Sequence, residues 1–131
     1  MTDALLFLHL LSATALVTAS VAFTAIALGA QLELSSVRTF LAFWHIGLVG
    51  VIIFGLALAI DIDGYEIWSA WVLIAIALWM AAGATGDRMP AAYRAAREAG
   101  GSLPSAAARV HWISVVMVLL LLADMIWKPW A

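Results

Sequence analysis

Four stretches of this chain are each long and apolar enough to cross a bilayer, which leaves few folds open. They cover roughly residues 4–30, 39–60, 67–83 and 107–127, and spanning the hydrocarbon takes about 17–25 residues. In lipid every backbone N–H and C=O must be satisfied within its own segment, so each stretch is expected to be a helix. Of the 131 residues, 66% are hydrophobic and 11% charged, and soluble domains carry about 25% charged residues. The expected fold is all-α: a single domain over 1–131, an integral membrane antiparallel four-helix bundle. The first stretch has Asp3 where a signal peptide carries its cationic region, and it outruns the usual apolar segment of such peptides. It reads as a retained span.

Charge placement sets the expected orientation. Arg38 lies in the first connection, "QLELSSVR", and Arg88, Arg94, Arg97 and Arg109 lie in or beside the third; Lys128 stands alone at the other side. The positive-inside rule then puts both termini and the acidic "DIDGYE" connection on the outer, periplasmic side of a bacterial inner membrane. Trp68, Trp127 and Trp130 at one edge, with Trp44 and Trp112 nearer the other, resemble aromatic belts. The third connection holds its own short helix over about 90–99, started by Pro90 and ended by Gly100-Gly101. Arg94 and Arg97 beside Tyr93 place it along the cytoplasmic surface.

Small and hydroxylated residues predict close helix packing. Span one carries Ser12, Thr14, Thr18, Ser20 and Thr24, and span two carries Gly47, Gly50 and Gly55. With no cysteine there are no disulfides or thiolate metal sites. Six basic residues make no extended nucleic-acid face.

Ionisable residues inside spans are functional candidates by default. His9 lies roughly 8 Å and Asp124 roughly 6 Å below the outer boundary, so they match in depth. With Met125 they form a weak set of metal-ligand candidates. His45 lies roughly 10 Å above the inner boundary, and His111 is closer to it. Two histidines on neighbouring helices are what an axially ligated haem b needs, with Arg38 and Arg109 placed to hold propionates or lipid headgroups. Thirteen residues separate His111 from Asp124, about 220° around a helix, so one site cannot use both. Plainer readings stand beside these. His111, next to Arg109, is expected to be interfacial and wet, and Asp124 to pair with Lys128 one turn on. His45 and His9 would be satisfied by a carbonyl or hydroxyl.

The order "LLFLHLLSATALV", "GLVGVIIFGLALAI", "DGYEIWSAWVLIAIAL", "YRAAREAGGSLPSAAARVHW" and "LLLLADMIWKP" resembles an uncharacterised branch of small integral membrane proteins related to the copper-resistance D (CopD-like) family. The likeness covers nearly the whole chain, implies a four-helix membrane bundle, and carries His9 over as the span-one histidine. CopD-like proteins are linked with copper handling. A more distant likeness is to HemJ-type four-helix proteins associated with haem b, whose first span leads into an Arg-bearing aromatic stretch; "ALGAQLELSS" stands there instead. No recognised catalytic motif is present. The expected function is that of an accessory or structural subunit, in contact with lipid and with other membrane subunits or a second copy. The alternative is a haem b protein for electron transfer or for haem or copper handling, with His45, His111 or His9 as ligands.

Overall fold

The computed structural model describes residues 1–61 and 67–127. Over these residues the chain forms five helices: α1 Thr2–Ala27, α2 Leu34–Asp61, α3 Ala70–Gly86, α4 Arg88–Glu98 and α5 Ser105–Trp127. Four helical runs are long and apolar enough to cross a membrane: Thr2–Ala27, Leu34–Asp61, Ala70–Glu98 and Ser105–Trp127, the third taking in α3 with α4. Lys128 and Trp130 lie outside the described residues, as do residues 62–66 of the "DIDGYE" connection.

Helix ends follow local chemistry. Gly29, at φ 103°, closes α1, with the Ala30 N–H donating to Ala25 O at 2.9 Å. Gly100, at φ 71°, closes α4 in the same way through Gly101 N–H and Ala96 O. This left-handed cap satisfies carbonyls that the helix leaves free, and glycine adopts it without a Cβ penalty. The second helix begins at Leu34, five residues before its apolar run. Ser35, Ser36 and Arg38 are polar enough to mark a membrane edge, but nothing in them ends a helix. Pro90 falls in the first turn of α4, where its missing N–H costs nothing.

The helices pack as two close pairs, α1 with α2 and α3 with α5, and the two pairs touch each other less. The α1/α2 pair is antiparallel along its whole length. Thr2 donates to Asp61 at one end, and Phe23 meets Trp44 towards the other, their ring centroids 6.3 Å apart. Between these points Gly47 and Gly50 face the Ser12–Leu16 turn. Trp44 is fully buried and lies against Gly86, leaving no space for a side chain there. Leu16, Phe23, Val37, Trp44, Met89 and Tyr93 centre the core in the half of the bundle nearest α4.

The short helix α4 folds across that end of the bundle, burying Met89, Pro90 and Tyr93. The Tyr93 hydroxyl accepts from Leu32 N–H at 2.9 Å and donates to Leu32 O at 3.0 Å, while Arg97 donates to it at 3.2 Å. One phenol thus ties α4 to the α1–α2 connection. Tyr93→Phe is expected to cost about 1 kcal/mol, the low end for an unmet polar group. Limited proteolysis should then cut near Leu32 earlier than in the native protein.

Candidate functional site

Looser packing between the two helix pairs opens a crevice of about 280 Å³ in the half of the bundle away from α4. Small residues make the space: Ala13 on α1, Gly55 and Ala59 on α2, and Ala75 on α3. His9, Trp71, Trp79 and Met125 add the larger walls. Trp79 is fixed, since its indole N–H donates to the Leu48 carbonyl at 2.8 Å across to α2.

His9 is the polar side chain with an unmet atom in this wall. Its ring lies against the Gly55 backbone, where a Cβ would stand 3.0 Å from Cε1 and 3.3 Å from Nδ1. Nδ1 is buried with no hydrogen bond among the described residues.

Asp124 and His9 share a depth but not a contact. No hydrogen bond joins them; Asp124 is buried with Oδ2 unpartnered among the described residues, and it does not line the crevice. Met125, its neighbour, does line it. The expected pairing with Lys128 falls outside the described residues. Among those described, no three His, Asp or Glu side chains cluster to hold a metal ion.

The expectation of a wet His111 is corrected: only 2% of its surface is exposed. Sequence position beside Arg109 marks an interface, but α4 folds over this end and α1 packs alongside. His111 Nε2 lies 2.9 Å from Thr24 Oγ1, and that hydroxyl already donates to the Ser20 carbonyl at 2.7 Å. The imidazole is therefore the donor, and its bare Nδ1 is buried with no partner. His111 and Asp124 are both buried although 220° apart, because the buried stripe of α5 runs His111, Ser114, Val118, Leu121, Asp124. Its steps of three and four residues advance less than a full turn on average, so the stripe drifts around the helix.

His45 points the other way. Its side chain is exposed on the outside of α2, with Nδ1 donating to the Leu41 carbonyl at 3.0 Å. His45 and His111 therefore do not face a common interior slot. Arg38 and Arg109 are exposed near the α4 end, whereas the crevice histidine is at the opposite end, beside the exposed carboxylates of Asp3 and Asp61. Haem b needs an axial nitrogen, a flat slot and cations for its propionates. Among the described side chains, a histidine and a slot meet at His9 while Arg38 and Arg109 lie across the bundle, so the histidines and arginines read from the sequence do not come together at one place. Gly55, read in the sequence only as a packing glycine, belongs to the site together with Trp79, which did not stand out. The available signal was that Gly55 and His9 are each six or seven residues from the Thr2–Asp61 end of an antiparallel pair.

No protein-family model, no curated protein and no solved structure matches this chain.

Proposed function

We propose that this chain is an accessory protein of the bacterial inner membrane that works by packing against a subunit of a larger membrane complex. Both termini face the periplasm in this reading, and α4 lies at the cytoplasmic side. Support for the orientation comes from Arg38, Arg88, Arg94, Arg97 and Arg109, all at the α4 end.

The observation that carries the docking reading is His45. It stands seven residues beyond Arg38 on the 28-residue helix α2, roughly 10 Å inside the inner boundary, and it faces outward. Ionisable side chains at such depth almost always face a bundle interior or a wet cavity, since lipid cannot satisfy them. An outward face at this depth is an interior once a partner covers it. Ala42, Ile46, Val49 and Ile53 are exposed on the same side of α2. Because Nδ1 already donates to Leu41, Nε2 offers a lone pair and the partner must supply an O–H or N–H. The occupant is therefore a transmembrane helix presenting a Ser, Thr, Tyr or Trp side chain opposite His45.

His45→Leu tests the reading without disturbing the buried core. Extracted into lipid nanodiscs from native membranes, the unaltered chain is expected to run within a larger particle, and the variant as the 14.0 kDa chain alone. An unaltered chain that runs alone from the outset contradicts the proposal.

A further inference from the structure

Helix α5 has an outer surface, on the side away from its packed stripe, that the α2 docking face does not use. Arg109, Trp112, Ile113, Val116, Leu119 and Leu120 are all exposed there, and steps of three and four residues keep them on one face of the helix. We infer that this face seats one anionic phosphoglyceride from the leaflet at the α4 end, its phosphate on Arg109 and an acyl chain along the aliphatic residues.

Charge selects the headgroup. Arg109 makes no hydrogen bond or ion pair among the described residues, and no other Asp, Glu, Lys or Arg stands between Glu98 and Asp124. The whole end carries Arg38, Arg88, Arg94, Arg97 and Arg109 against the exposed acids Glu33, Asp87 and Glu98. None of these arginines pairs with a described carboxylate; Arg88 and Arg97 donate instead to the Ala84 carbonyl and the Tyr93 hydroxyl. The balance is positive, so a net-negative headgroup is favoured over a zwitterionic one.

Order and length select the rest of the lipid. Trp112 stands one turn deeper than Arg109, its ring centroid 5.7 Å from that of His111, and its indole N–H has no partner among the described residues. An indole at this level keeps its ring among the chains and donates to the polar zone, where the glycerol esters lie. Arg109 and Leu120 are eleven residues apart, about 16 Å along the helix, and half of the hydrocarbon core is about 15 Å. The face is therefore as long as one leaflet is deep. A partner helix would have to bring its own carboxylate to Arg109, whereas a leaflet lipid already has its phosphate at that level.

The test uses the full chain in phosphatidylcholine nanodiscs doped with brominated-chain lipid. The readout is the fluorescence of Trp112, taken as the difference between the native chain and Trp112→Phe. Brominated phosphatidylglycerol is expected to quench it with roughly fivefold higher apparent affinity than brominated phosphatidylcholine, the effect of one arginine beside an anionic headgroup. Arg109→Gln should bring the ratio to one, and Arg109→Lys, which keeps the charge, should retain most of it. Free glycerol 1-phosphate should not compete, because it has no chain to lie along the face. His45→Leu should leave the ratio unchanged, so failure of the docking proposal and failure of this site are separable. Equal quenching by the two lipids would mean an unselective annulus and overturns the inference. So does a ratio that survives Arg109→Gln, competition by glycerol 1-phosphate, or a Trp112 that neither lipid quenches because a second copy of the chain covers α5.

Discussion

Gly47→Leu is expected to unseat the α1/α2 pair, at a cost of about 3 kcal/mol or more. A Cβ at Gly47 would stand 2.8 Å from Leu16 N and 2.9 Å from Ser12 O. These are backbone atoms of the facing helix, so no rotamer change can make room, and the two helices must move apart. Overpacking of side chains typically costs about 1–3 kcal/mol; separating backbones also loses contacts along the rest of the pair. Gly50 is in the same seam against the Ser12 side chain, and Phe23 with Trp44 closes it further on. The cost has no offset from water, because membrane helices associate through close packing of small residues. An SDS-unfolding titration in mixed micelles measures it. Gly83→Leu is the control, since a Cβ there comes no nearer than 3.7 Å to a Leu48 side-chain atom, and it should cost much less.

The Thr24–His111 bond gives the second large effect, and its size depends on whether one partner or both are removed. Thr24→Val keeps the shape and deletes the hydroxyl that receives His111 Nε2–H. With Nδ1 already unpartnered, the imidazole would then have both nitrogens unmet in a buried site. Leaving a buried donor unmet costs about 1–3 kcal/mol, and here the upper part of that range applies because no water competes. Replacing both groups, Thr24→Val with His111→Leu, removes the unmet atoms as well as the bond. The double variant should therefore be more stable than Thr24→Val alone, by about 2 kcal/mol. Simple additivity of two destabilising changes would contradict this account of the pair.

Hydropathy made the helical, multi-span character legible, because lipid allows few alternatives to helices. It was less informative about where helices end. Polar residues 34–38 mark the edge of an apolar run, and α2 continues straight through them. Depth could be read by counting residues, and His9 and Asp124 do occupy the same half of the bundle. Rotation could not, because the spans are apolar almost all round and so carry no pattern that distinguishes lipid from neighbour. That is why His45 and His111, plausible partners by depth, face outward and inward respectively. His111 misled for a further reason: a short connecting helix covers the end of the bundle where sequence position alone predicted water. The crevice was invisible because it comes from the looser fit between two helix pairs, a property of no single segment.

The most direct test of the docking proposal places a photo-crosslinking benzoylphenylalanine at Val49, one turn from His45 on the exposed side of α2. A matching probe goes at Leu119, exposed on α5, and both are irradiated in native membranes. The expected result is a protein adduct from Val49 alone, mapped to a transmembrane helix bearing Ser, Thr, Tyr or Trp at the contact, and lost with His45→Leu. Lipid adducts alone from both positions would mean that His45 faces the bilayer uncovered, and an adduct of two copies of this chain would make the partner itself. Either would contradict an accessory role built on the α2 face.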